Sequence, residues 1–219
     1  MILIEFFKSV KEFINCRIFF HKFIKKKKIA VVGNASNILK KKDDKNIDNF
    51  PIVIRFNAPE LLKYGKYVGS KTSIQVINEK VFLKKKVRYK KIDYKKLFNI
   101  KCLFIIFISK KKFLKINNKT EKPNFFFIID ENIDIFLKFL IFIRLGLFTF
   151  KKKNFTSGLR ILLILYFNNL NFRSYGFDKF KSSKNYTYYD NNRLFNKENK
   201  HNLKFENKIL NKINTQIGE

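Results

Sequence analysis

The run Ile29-Ala30-Val31-Val32 is too short for a helix and stands between Lys28 and Gly33. It reads as a buried strand entering a tight turn. The turn residues that follow, Asn34, Ala35, Ser36 and Asn37, are small and mostly polar, and a helix start is expected at Ser36 or Asn37. A strand, a glycine turn and a helix N-terminus leave backbone N–H groups facing outward, a general cradle for phosphate or nucleotide. Ordinary α/β crossovers share that pattern, so it constrains the fold before it constrains the function.

Further strand candidates follow at 52–56, 74–77, 103–108, 125–129 and 172–177, with turn residues at Asn57-Ala58-Pro59 and Gly69-Ser70. Residues 103–108 and 125–129 are continuous apolar runs, the type expected of buried parallel strands. Between them, residues 133–145 read as a helix opened by Asp130, Glu131 and Asn132. A second helix is expected over 159–167, after the capping residues Thr156 and Ser157, and the tail from 198 should be helical in part. Strands alternating with helices predict an open α/β sheet with helices on both faces.

Lys and Arg number 48 against 17 Asp and Glu, a formal net charge of +31. Such a balance points to nucleic acid, an anionic membrane surface or an anionic substrate. The excess of Lys, Asn, Ile and Phe also has the look of A/T-rich codon bias. The lysine runs at 25–28, 84–86, 110–112 and 151–153 are scattered between elements as solvated loop ends would be. Bias is therefore the preferred account, and nucleic acid is not the expected partner. The first 23 residues are apolar but broken by Glu5, Lys8, Lys11, Glu12 and Arg17, which argues against a spanning helix or signal peptide. They can lie on a membrane as a basic amphipathic helix or pack on the core. The expected organisation is this segment at 1–28 and one domain at 29–219.

At residues 29–206 the sequence resembles the eukaryotic-type sialyltransferases, glycosyltransferase family 29. AVVGNASNIL, ID, VIRFNAP and VGSKTS stand in the order of the family's large sialylmotif. Phe155-Thr156-Ser157-Gly158-Leu159 with Tyr175-Gly176-Phe177 is similar to the small motif. His201, followed five residues later by Glu206, matches the very small motif, and Tyr188-Tyr189-Asp190-Asn191-Asn192 loosely matches the third. The resemblance implies a single Rossmann-like, GT-A-like α/β domain of the sialyltransferase variant, its central sheet mostly parallel. It also implies inverting transfer of sialic acid, or a related nonulosonic acid, from a CMP-activated donor to a glycan hydroxyl.

That reaction needs no covalent intermediate: the enzyme binds the nucleotide, offsets charge on the departing phosphate and removes the acceptor proton. Asn34, Asn37 and Asn57 carry carboxamides that donate and accept, and by resemblance Asn37 and Asn57 match the family's donor-binding asparagines. Turn formation is the plain alternative for them. Thr156, Ser157 and Gly158 can offer hydroxyls and N–H groups to an anion. His201 is the candidate general base, since imidazole titrates near neutrality. Glu206, Tyr188, Gly33 and Ser70 are assigned supporting roles. Acceptor choice is expected in the loops 79–101 and 179–200.

The sequence departs from the family's motifs in two places. The positions of the family's disulfide correspond here to Ile29 and Asn169, and the two cysteines, Cys16 and Cys102, have no metal spacing. A reducing, cytoplasmic setting follows as the expectation. The third-motif histidine is replaced by Thr187, which leaves open a decayed fold that binds CMP or an anion without turnover. No Asp-x-Asp motif occurs, so no metal or other cofactor is expected.

Overall fold

The computed structural model describes residues 2–24, 26–83, 102–116, 123–148, 154–177, 185–187, 190–194 and 203–217. Its centre is a sheet of six strands: β1 (Ile29–Val32), β2 (Ile52–Phe56), β3 (Ile74–Asn78), β4 (Leu103–Phe107), β5 (Phe126–Ile129) and β6 (Phe172–Tyr175). Their order is β5-β4-β3-β2-β1-β6, and every pairing is parallel. Ile29 is in register with Ile52 on one side and Phe172 on the other. The four inner strands β1 to β4 are buried almost throughout and need no polar alternation, whereas the edge strands β5 and β6 are partly exposed. β6 stops at Tyr175, short of the expected 177, because Gly176 turns the chain at φ 68°.

Eight helices are described: α1 (Ile2–Ile24), α2 (Asp44–Asp48), α3 (Leu61–Val68), α4 (Glu79–Phe82), α5 (Lys110–Leu114), α6 (Ile133–Leu145), α7 (Ser157–Phe167) and α8 (Leu203–Ile217). A 3-10 turn covers Ser36–Lys40. On one face, Val31, Ile54, Val76, Ile105 and Ile129 pack with α1, α6, α7 and α8. The other face splits into two smaller clusters. Ala30, Val32 and Val53 meet Ile38, Ile47 and Val68, while Phe104 and Ile106 meet Val81 and Phe82.

Helix α1 shares this core, contributing Phe13, Cys16, Phe19, Phe20 and Ile24 to it. Polar bonds fix the helix as well. The buried Glu12 carboxylate accepts from the Asp130 N–H at 3.0 Å and from Lys110 Nζ at 2.6 Å, and Ser9 Oγ accepts from the Phe136 N–H at 2.8 Å. No described helix is long and apolar enough to cross a membrane.

Candidate active site

In an open parallel sheet, ligands bind beyond the carboxyl ends of the strands, where the winding direction reverses. Here the chain winds outward from β1 through β2 to β5 and then returns to place β6 on the other side of β1. Gly33 follows β1 and Gly176 follows β6, so these two glycines mark that point. Their backbones touch. The Gly33 N–H donates to the Tyr175 carbonyl at 2.7 Å, and Ala35 N–H donates to the Gly176 carbonyl at 3.1 Å. A Cβ on Gly33 would lie 2.5 Å from the Gly176 carbonyl oxygen, an approach that only a glycine permits.

Phe177 joins three segments at this edge. Its ring lies where a Cβ on Gly158 would be, 2.9 Å away, and 3.0 Å from that of Gly33. The same ring meets Phe56, at the end of β2, edge-on at 6.1 Å. The glycine turn, the end of β2 and the start of α7 are thereby held together, although 125 positions separate Gly33 from Gly158.

Asn34 and Asn57 are tied into this frame. Asn34 Nδ2 donates to the Phe56 carbonyl at 3.1 Å. Asn57 has φ 60°, a left-handed conformation that asparagine tolerates better than most residues, so it does serve as a turn former. Its carbonyl accepts from Gln75 Nε2 and its Oδ1 accepts from Asn78 Nδ2 at 3.1 Å. Asn37 differs: among the described residues its buried Oδ1 has no hydrogen-bond donor. An unpaired buried acceptor costs about 1–3 kcal/mol, a cost that a bound ligand's N–H or O–H would remove.

Thr156 caps α7: its Oγ1 accepts from the Leu159 N–H at 3.3 Å. The N–H groups of Ser157 and Gly158 lie in the first turn, where a helix has no partners of its own to offer. Glu206 on α8 holds this end from behind. Its carboxylate accepts from the Thr156 N–H at 2.9 Å and from the Thr156 hydroxyl at 2.7 Å. Burial pushes the Glu206 carboxyl up to about 7, Thr156's two bonds and the Arg160 charge pulling against burial and Asp134.

Beside it lies a buried ion pair that the sequence motifs do not announce. Arg160 donates Nε to Asp134 Oδ1 at 2.8 Å and its second nitrogen to Oδ2 at 2.9 Å, while the Phe155 N–H also donates to Asp134. Burial works against the Arg160 charge, but Asp134's charge and hydrogen bonds outweigh it and hold the guanidinium's pKa up. The only signals in sequence were Asp134 as the single acid of a mostly apolar helix and Arg160 as the single charge of another.

Ser70 does not join this site. It lies before β3, at the amino edge of the sheet, where its N–H and hydroxyl donate to Asp48 at 2.8 and 3.0 Å. Asp48 also accepts from Lys71 N–H and sits 3.9 Å from the fully buried Arg55. The VGSKTS and ID segments thus clamp the loops that feed β2 and β3, remote from Gly33 and Asn57. Tyr188 and His201 lie outside the described residues, as do most of the loops 79–101 and 179–200. The hairpin of Asn185–Thr187 with Asp190–Leu194 is antiparallel, and its first strand runs beside the Ser36–Lys40 turn. Among the described residues, no three His, Cys, Asp or Glu side chains are grouped to hold a metal ion.

The family model for glycosyltransferase family 29 (sialyltransferase) matches residues 8–217. A crystal structure of a mammalian sialyltransferase in complex with Gal-beta-1-3GalNAc-ortho-nitrophenol is similar over 95% of this chain and 75% of that one, at 15% identity and a TM-score of 0.55. A second mammalian sialyltransferase structure gives the same TM-score over 96% and 76%. Sialyltransferase-like protein 2 of Arabidopsis thaliana is 39% identical over 49 residues, 22% of this chain. That match spans 11% of the Arabidopsis protein. Because the family model covers nearly the whole chain, the chain belongs to glycosyltransferase family 29, the sialyltransferases.

Proposed function

We propose that this protein transfers sialic acid, or a related nonulosonic acid, from its CMP-activated donor to a hydroxyl of a glycan. One observation carries the reading. The Gly33–Asn37 turn, the left-handed Asn57 and the Thr156–Gly158 helix start converge around Phe177 at the reversal of the sheet, with the Asn37 Oδ1 unpaired. That edge offers what a nucleotide needs: carboxamides for ribose or base, and first-turn N–H groups for a phosphate.

In the reaction, the acceptor oxygen attacks the anomeric carbon as the carbon–oxygen bond to the phosphate breaks. The configuration inverts, and CMP leaves with the electron pair. His201 takes the acceptor proton, and the N–H groups of Ser157 and Gly158 meet charge growing on the phosphate. Glu206 keeps those groups in place through Thr156 rather than handling the proton. No metal takes part in this scheme. Tyr188 stands beside Thr187, where the family has a histidine, and is assigned a supporting contact to the donor.

A cytoplasmic setting is part of the proposal. Ile29 and Asn169, at the family's disulfide positions, sit on adjoining segments, with the Ile29 N–H donating to the Asn171 carbonyl at 3.1 Å. Pairing of β1 with β6 thus joins what a crosslink would join. The test is a His201→Ala variant assayed for transfer and for CMP binding. Transfer should vanish while CMP still binds. Transfer at the wild-type rate would remove His201 from its role, and CMP binding by the wild type without turnover on any acceptor would favour the decayed, binding-only reading.

A further inference from the structure

Helix α1 carries two apolar stripes, and the core uses only one of them. Phe13, Cys16, Phe20 and Ile24 face inward, with Glu12 bonded to Lys110 and Asp130 beyond β4 and β5 and Ser9 to the Phe136 N–H of α6. On the other side Leu3, Phe7, Ile14 and Ile18 are exposed by 66%, 62%, 49% and 61%. At 100° per residue these four fall within an arc of about 60°, roughly opposite the core stripe. A solvated helix face has no need of four large apolar side chains in register.

The stripe continues onto a neighbour. Phe6 meets Phe7 at 6.2 Å and Phe139 of α6 at 5.4 Å, and Phe139, Phe142 and Ile143 of α6 are exposed as well. Apolar surface shared by two helices in this way marks an interaction site rather than scattered exposure. Cations rim it. On the helical wheel Lys8, Lys11 and Lys22 flank the stripe on one side and Arg17 on the other, and Lys26, Lys27 and Lys28 are exposed just past the helix end.

We infer that this face docks on an anionic lipid bilayer, with the stripe lying in the headgroup–acyl boundary and the lysines reaching up to the lipid phosphates. Charge decides between occupants. A second copy of the chain would set the same cations against one another in a protein of net charge +31, whereas anionic headgroups neutralise them. The inference stands apart from the proposed transferase activity, and its test reads no catalysis.

The full-length protein is sedimented with phosphatidylcholine vesicles, with and without about one-third phosphatidylserine. It should pellet with the anionic vesicles and be released by high salt. An Ile14→Glu/Ile18→Glu variant should partition at least about tenfold less, with unchanged circular dichroism and thermal unfolding because both side chains are exposed. The chain has no tryptophan, so Ile18→Trp supplies a single reporter whose emission should shift to the blue and be quenched by brominated anionic lipid. Three results would each overturn the proposal. They are wild-type protein left in the supernatant, undiminished pelleting of the double glutamate variant, and blue-shifted emission from a vesicle-free dimer of the Ile18→Trp variant.

Discussion

Glu206→Gln isolates the charge state of the carboxylate that holds the Thr156 end of α7. In the folded protein this carboxyl titrates at about 7, against 4.5 for the free group, with burial as the largest cause. The folded state therefore holds a proton between these values that the unfolded chain has released. Stability falls as pH rises through that window and is greatest below it. At about 1.4 kcal/mol per pKa unit, the full difference is on the order of 3 kcal/mol. Glutamine removes the ionisation and keeps an acceptor for the Thr156 N–H, while its amide can donate to the Thr156 hydroxyl. Thermal unfolding at pH 8 should place the variant several degrees above the wild type, given about 2–4 °C per kcal/mol in a chain of this size. At pH 4.5 the two should melt together. A variant less stable at pH 8, or stabilised equally at both pH values, would refute the account of Glu206 as a buried group that resists its charge.

Other perturbations test the remaining contacts. Gly33→Ala places a methyl 2.5 Å from the Gly176 carbonyl oxygen and should cost about 1–3 kcal/mol in urea unfolding, with weakened CMP binding by calorimetry. Asp134→Ala leaves Arg160, 3% exposed, with its closest counter-charge gone, and should cost about 3–5 kcal/mol by the same unfolding measurement. Asn37→Ala removes an oxygen that bonds nothing among the described residues. It should leave stability within about 1 kcal/mol while weakening CMP at least about tenfold, and equal CMP affinity would take Asn37 out of the site.

β1, β4 and β5 were legible because each is a continuous apolar run, the form that a buried parallel strand takes in sequence, whereas β2, β3 and β6 carry Arg55, Gln75 and Arg173 within them. The Gly33 turn and the Thr156 cap were legible for a similar reason, since local backbone geometry dictates residue type over a few positions. What stayed hidden was pairing across distance. Thr156 and Glu206 are 50 positions apart, Asp134 and Arg160 are 26 apart, and Glu12 reaches Asp130 across 118. A lone buried acid looks like a surface acid until the fold supplies its partner. Ser70 shows the converse. Its motif neighbours Asn57 in sequence, yet helix α3 carries the chain from the carboxyl edge of β2 back to the amino edge of β3, so adjacent segments end on opposite sides. Phe177 was visible as a motif letter, but its place between Gly33, Gly158 and Phe56 became clear only in three dimensions.

The central claim is that the edge around Gly33, Asn37 and Thr156 holds a CMP-activated nonulosonic acid for transfer. Its most direct test is incubation of the purified protein with CMP-sialic acid and a panel of galactosides, beginning with Gal-β1-3-GalNAc, the disaccharide held by the mammalian structure. CMP release and sialylated product are followed together by mass spectrometry. The account predicts equal amounts of CMP and sialylated glycan, both lost in the His201→Ala variant. Failure to bind CMP at all, with the protein folded, would contradict it.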